Sequence, residues 1–566
     1  MTRTLPANPS LSLLKKQAKK LLKQFREGNV LAVASVNTHH PRPDAFTGLR
    51  DAQLVIARSY TYANWSELCE AVQIAQDGQN TLADNASLFI RLGCVQYSGN
   101  DSLRNYQRAR RLVTAFPDIA EFDVYSALVA NNATAVSNFL ESDPTLAVTT
   151  GGPLSWPPLL YVTYSRVGEQ VDSRSSLSIA RQLIEYGASP NSHIILNEQY
   201  RFTALTGAMG EGENGVNQPA HPQADEMVEL LLDAGANPND GQGLYNTMFT
   251  NSVDKWLTVL LGKGLRADDM LNWNATGDDA KVTTLNFQLA SAVAGNCLPR
   301  VQTLLSAGAS AGTRNTYNGR LVHTNALLAG CEDIAQLLEN HGAIPEKLGT
   351  EEQFVLACVQ ENDELIGALL DDNPELTGKA SLLHAAADNA SLRMVKLLVS
   401  YGFDINAQAQ YGRTLLHQYA LKNDCVSIKQ LLSLGARADI RDSSHNAIAA
   451  VFAAYSVSFE AMRLLLDASD SLLDAASGAY LEKVQSLVDN DSALLKSRTE
   501  QGNTVLHVIG YWLQQEPEYE VYQSLVQWLV SAGADVHAKN RRGQTPYQFH
   551  LANGFDTLAD LFEEYG

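Results

Sequence analysis

Three patterns in this 566-residue chain have residue types and spacings that could do chemistry. Gly308-Ala309-Ser310-Ala311-Gly312 matches G-x-S-x-G, in which a serine nucleophile stands on a strained turn between a strand and a helix. Here the string follows Val301-Gln302-Thr303-Leu304-Leu305, which reads as a helix, so it is expected to be a loop. Gly210-Glu211-Gly212-Glu213-Asn214-Gly215 matches G-x-G-x-x-G, whose glycines admit a pyrophosphate at a helix N-terminus. Its two carboxylates would repel phosphate, and a Pro-containing stretch rather than a helix follows, so a flexible insert is expected. The third pattern is a histidine, at 384, 417 and 507, that recurs three residues after a Ser or Thr. A catalytic base is needed once, beside its partners. Periodic recurrence instead predicts an imidazole bonded to the backbone of a neighbouring unit.

Metal and thiol chemistry fare no better. His39-His40 lies beside Pro41 and Pro43 with only Asp44 nearby, too few ligands for a metal. The pairs Asp268-Asp269, Asp278-Asp279 and Asp371-Asp372 lack the central Gly and distal Glu of a calcium loop. The six cysteines contain no C-x-x-C pair, which fits buried free thiols in a reducing compartment. No catalytic residue, cofactor site or metal site is therefore expected.

The elements that carry these strings repeat. A Leu-Leu-x-x-Gly-Ala type ending returns with marker glycines at Gly187, Gly235, Gly264, Gly308, Gly342, Gly402, Gly435 and Gly533. Gly308 to Gly342 spans 34 residues and Gly402 to Gly435 spans 33, whereas other gaps are stretched or doubled. Variants ending in Asp or Asn rather than Gly occur near Asn138, Leu369 and Ser486. Ahead of the endings stand Ser381-Leu382-Leu383-His384, Thr414-Leu415-Leu416-His417 and Thr504-Val505-Leu506-His507, with Thr545-Pro546 as a terminal version. Thr suits a helix N-cap and Gly a left-handed C-cap. Between them, segments such as Leu392–Gly402 are apolar at i, i+3 and i+4. Each unit reads as a helix, a tight turn, a helix and a loop, too small to bury a core without stacking on its neighbours.

These residues resemble the ankyrin repeat, best at Gly412-Arg413-Thr414-Leu415-Leu416-His417 and Gly543-Gln544-Thr545-Pro546. The resemblance implies an all-α helix-pair solenoid of roughly a dozen units over residues 121–566. Proline is missing from most Thr-Pro positions, and the units near Thr247, Ala447 and Ser471 lack the histidine. Long inserts interrupt the period at 191–200, 210–224 and 272–283.

Residues 1–120 do not follow the period and read as an N-terminal helical cap. After Ser10, Leu11, Leu14, Ala18, Leu21 and Phe25 form one face of a helix, with Lys15, Lys16, Lys19, Lys20, Lys23 and Arg26 around it. The phrase around Asp51–Arg58, Trp65 and Leu68 resembles the N-terminal extension of bacterial ankyrin-repeat proteins, which implies a bacterial cytoplasmic chain. No secretory signal and no membrane-spanning run is expected. The formal charge of −20 disfavours non-specific nucleic-acid binding.

The expected function is a non-catalytic protein-binding scaffold whose partner is another protein. The resemblance places contacts at the loop tips: Tyr317, Asn318 and Arg320; Gln410, Tyr411 and Arg413; Gln501 and Asn503; and Arg541, Arg542 and Gln544. Two alternatives are an enzyme with its site in the cap or inserts, and a regulator touching nucleic acid or membrane through the basic helix.

Overall fold

The computed structural model describes residues 3–6, 8–99, 101–168, 175–249, 254–274, 281–456, 458–513, 519–553 and 555–562; Asp278-Asp279 lies outside them. The chain divides into two compact units, Met1–Leu327 with Cys331–Glu346, and Leu328–Gly330 with Lys347–Gly566.

The first unit opens with helices Leu11–Arg26, Val30–His39, Leu49–Ser59 and Trp65–Asp77. Ser10 caps the first, its hydroxyl accepting from the Leu13 N–H. Leu14, Ala18 and Leu21 are buried with Val55, Leu68 and Val72, while Leu11 and Phe25 pack at the margin. The apolar face of the basic helix is thus covered by the chain's own helices. His40 is a clip in this bundle, its ring nitrogens 2.7 Å from the Arg42 carbonyl and 3.3 Å from Asp51.

Helices Leu82–Gly93 and Leu103–Ala115 join the following repeats instead. The Val95 N–H donates to the Tyr164 carbonyl and the Arg166 N–H to that of Gly93. Arg166, 2% exposed, donates to the carbonyls of Thr163, Ser165, Gly207 and Pro219 and so ties three segments together.

From Val124 onward, helix pairs recur in both units, roughly a dozen in all, from Val124–Val129 with Ala133–Ser142 to Pro546–Ala552 with Asp556–Phe562. All eight marker glycines have φ between 90° and 109°, the left-handed ending that their position predicts. The Gly-less endings solve the same problem differently. Asp143 and Asp491 are extended, with φ −146° and −148°, and their carboxylates cap the 3-10 helices Pro144–Ala147 and Ser492–Lys496. Asn373 takes the same place before Pro374–Gly378.

One insert is a hairpin. His193–Leu196 pairs antiparallel with Tyr200–Thr203, and Asn197 and Glu198 both have positive φ, as a tight primed turn requires. The G-x-G-x-x-G insert is a docked loop rather than a free one. Gln218 donates to Asp101 at 2.9 Å, Tyr106 donates to the Asn217 carbonyl at 2.8 Å, and Asn214 donates to the Asp101 carbonyl at 3.1 Å. A Cβ on Gly210 would lie 2.4 Å from the Ala220 backbone, so that glycine serves the fold-back.

Among the described residues the second unit buries two apolar clusters. One runs from Leu328 to Leu466, the other from Leu472 to Phe562, and the break falls at the histidine-less repeat near Ser471. Arg441 crosses it, both oxygens of Asp474 lying 2.9 Å from its guanidinium. Across the same break a Cβ on Gly478 would stand 2.7 Å from the Leu466 side-chain methyl, so a larger residue there would have to displace that side chain.

Candidate functional site

The recurring histidines are inter-repeat staples. Nδ1 of His417 accepts from the Thr414 N–H at 3.1 Å, which leaves the proton on Nε2, 3.0 Å from the Ala447 carbonyl of the next repeat. His507 repeats this with Thr504 and the Gln544 carbonyl at the same two distances. His384 reaches the Ala407 carbonyl at 3.2 Å. Burial holds all three below the usual imidazole range, so they are neutral hydrogen-bonding groups.

Ser310 and two buried thiols are placed for structure too. Ser310 lies in the loop after Leu298–Ser306, its N–H given to Asn286. Burial pushes the Cys94 thiol far up and that of Cys358 to about 12, so neither is a ready thiolate. Asp442, Ser444 and His445 assemble the residue types of a triad. The Ser444 hydroxyl and an Asp442 oxygen, however, meet the same ring nitrogen, Nδ1 of His445, at 2.8 and 3.3 Å. A relay needs one partner on each nitrogen. Asp442 also accepts the N–H groups of His445 and Ala447, so this is a turn organiser. Despite desolvation, a hydrogen bond from the Ser444 hydroxyl together with those from Ala447 and His445 holds its carboxyl well below the usual range.

The loop tips are braced by one recurring device. Arg314, Gln408, Arg441 and Arg498 each donate to a carbonyl of their own tip, at Gly319, Gly412, Asn446 and Gly502. In the second unit Gln408 and Arg498 reach the next repeat too, at the carbonyls of Arg441 and Lys539. Backbone bonds lace the same neighbours, from Ser443 to Tyr411 at 2.8 Å and from Arg541 to Gln501 at 2.9 Å. An Asx residue shapes several tips, with Asn315 accepting from Tyr317 and Asn540 from Arg542 and Gln544.

The predicted contact residues fall in three places. Tyr317, 74% exposed, borders a groove of about 680 Å³ in the first unit. Its other aromatic walls are Tyr200, Trp273 and Phe287, with Trp273 and Phe287 ring centres 5.1 Å apart. Asn318 is exposed beside Tyr317 and bonds Asn325, and Arg320 is half-buried there.

Gln410 and Tyr411 are exposed on a second tip, Tyr411 with φ 59°. Arg413 is engaged, its guanidinium 4.8 Å from the Phe452 ring centre and 5.5 Å from that of Tyr411, with Asp442 at 4.0 Å.

The third place is a groove of about 780 Å³ that brings Gln501, Asn503, Arg542 and Gln544 together. Arg541 is exposed at the same tip as Arg542. Asn503 is buried and accepts from Asn540 at 2.9 Å, so it shapes the tip rather than facing out. Sequence reasoning missed the aromatic floor, Tyr511, Trp512 and Phe549, and the brace Arg498. The signal was available: Tyr511 and Trp512 follow His507 by four and five residues.

Residues 382–474 match the family model for ankyrin repeats in three copies. Among curated proteins the chain is similar to human ankyrin repeat and SOCS box protein 16, 26% identical over 35% of this chain and 38% of that protein. It is similar also to human SH3 and multiple ankyrin repeat domains protein 2, 25% identical over 37% of this chain and 11% of that one. A third is the ankyrin repeat domain-containing protein SAT10 of Stachybotrys chartarum, 29% identical over 30% and 9%. The chain thus spans well under half the length of each of these relatives. Among solved structures, a chain of the predatory endopeptidase–immunity protein complex from Bdellovibrio bacteriovorus matches at TM-score 0.25 and 22% identity, covering 33% of this chain and 98% of that one. Family model and curated relatives agree that the chain carries ankyrin repeats.

Proposed function

We propose that this chain is a non-catalytic scaffold of the bacterial cytoplasm that binds another protein along its loop tips and concave groove walls. Residues 121–566 supply the repeats and 1–120 the cap. The observation that carries the reading is the lacing of tip to tip: Arg541 to Gln501, Ser443 to Tyr411, and the braces Gln408 and Arg498. Loops held in this way lose little entropy when a partner lands on them. They hold out Tyr411, Arg541 and Arg542, of residue types enriched among interface hot spots. The likeness of the cap to bacterial extensions is the ground for the cellular setting. Among the described residues no helix is long and apolar enough to cross a membrane.

A photo-crosslinking residue placed at Tyr411 or Arg542 tests this in the source cell. Both positions should trap the same protein, whereas Lys429, exposed on the second helix of a repeat, should trap none. Capture from Lys429 alone would remove the tips from the interface.

A further inference from the structure

We infer that the groove of the second unit receives an extended acidic segment of the partner, anchored by an apolar or aromatic side chain between its carboxylates. This rests on the protein-binding reading and names the chemistry of what binds.

Charge is the first observation. The two tips beside the groove, residues 496–502 and 537–544, carry Lys496, Arg498, Lys539, Arg541 and Arg542 against Glu500 alone, and of these Arg498, Glu500 and Arg542 line the groove itself while the others flank it. A local balance of +4 stands on a chain of −20, so the patch runs against the rest of the surface. Its cations are also unspent. Arg498 is bonded to the carbonyls of Gly502 and Lys539, which do not neutralise it. Arg541 and Arg542 are exposed, and their guanidinium groups meet no carboxylate among the described residues. Within the same groove the Arg441–Asp474 pair is closed upon itself and adds no net charge.

The floor supplies the second observation. Tyr511 is 49% exposed, with its ring centre 5.9 Å from that of Phe549, and Trp512 lies beside them. A half-exposed aromatic floor under guanidinium walls suits a ligand with a buried apolar anchor and flanking carboxylates, which Arg can take in pairs. The volume, about 780 Å³, holds a few side chains of an extended strand rather than a folded domain. Nucleic acid fits less well, because a long polyanion would run beyond this local patch onto a chain whose formal charge is −20, whereas a short acidic segment stays within it.

Selection of random dodecapeptides displayed on phage against the full chain tests the inference. Enriched sequences should be strongly acidic with one aromatic or leucine residue. Their affinity should fall about tenfold or more on R541E/R542E and respond in the same sense on R541Q/R542Q. It should also fall in about 1 M salt, where the screening length is about 3 Å. Thermal melts of both variants should match wild type, since neither guanidinium is built into the fold.

Enrichment of neutral or basic peptides, or of acidic ones that bind the variants equally well, overturns the inference and leaves protein binding standing. No enrichment at all also overturns it, while the crosslinking result above still decides the broader reading. A single-stranded oligonucleotide that binds more tightly through the same arginines overturns it in favour of nucleic acid. If self-association in sedimentation is abolished by R541E/R542E, the occupant is a second copy and the inference again fails.

Discussion

The first unit ties one repeat to the next with a carboxylate where the second unit uses an imidazole. Asp240 caps the helix Gly241–Asn246 through the Gly243 N–H and accepts the hydroxyls of Thr203 and Thr206 from the preceding repeat. His417 and His507 span the same kind of junction with a ring that accepts from a Thr N–H and donates to the following repeat. Both staples are buried, and burial favours the neutral form of each. That form is the protonated one for Asp240, whose pKa is raised, and the deprotonated one for the histidines, whose pKa is lowered. One mechanical task has therefore been given two opposite responses to acid.

Acidification should break this comparison open with the largest effect. In the second unit His417 and His507 are lowered and His550 lies at about 4, while the unfolded chain takes up these protons from about 6.5 downward. Stability should thus be lost as the pH falls from about 6.5 towards 4, with His550 alone worth about 3 kcal/mol. The first unit has the same liability at His221, held at about 3, but Asp240 protonates more readily folded than unfolded and offsets part of it. Hydrogen exchange resolved by segment should show the second unit opening first. Equal loss in both units would contradict the assignment.

Removal of one staple comes next. His507→Ala strands the Thr504 N–H, removes the cross-repeat donor to the Gln544 carbonyl, which keeps only the Asn540 N–H, and leaves a cavity, at an expected cost of about 2–4 kcal/mol by chemical denaturation. The damage should spread through the cluster from Leu472 to Phe562 and weaken at the break before it, because solenoid repeats contact only their neighbours.

Much of this was legible from type and period. A glycine after Leu-Leu-x-x predicts a left-handed residue, and all eight adopt one. The Ser/Thr-x-x-His spacing predicts an imidazole near a helix start that bonds across a junction, as His384, His417 and His507 do. What escaped were features that depend on residues far apart in sequence. Asp240 meets Thr206 across 34 residues, and the loop at Gly210 is held by Asp101 and Tyr106, more than 100 residues earlier. The aromatic walls of the first groove, Tyr200 and Trp273, come from inserts that break the period. Arg413 has the exposed-tip signature but spends its charge between Phe452 and Asp442.

Two glycines sharpen the distinction between backbone strain and crowding. Gly435 has φ 93° and open space where a Cβ would go, so Gly435→Val should cost about 1–2 kcal/mol from the backbone alone. At Gly412 a Cβ would lie 2.8 Å from the Ser443 nitrogen, and Gly412→Ala should cost at least as much, about 2 kcal/mol, although the side chain is smaller. Melts that rank Gly412→Ala well below Gly435→Val would show that the tip yields.

The smallest stability effects belong to the tips. Tyr411→Ala and Arg542→Ala should change the melt by no more than about 0.5 kcal/mol, whereas Arg413→Ala should lose about 1 kcal/mol with its stacking and ion pair.

Binding and stability should therefore separate, and one titration tests that directly. The protein trapped by crosslinking would be titrated against wild type, Tyr411→Ala/Arg542→Ala and His507→Ala, with circular dichroism melts alongside. The tip variant should melt like wild type and bind at least about tenfold more weakly, since truncating a central Tyr or Arg costs about 1–2 kcal/mol or more. His507→Ala should melt earlier and bind normally wherever it remains folded. A tip variant that holds its partner as tightly as wild type would contradict the account.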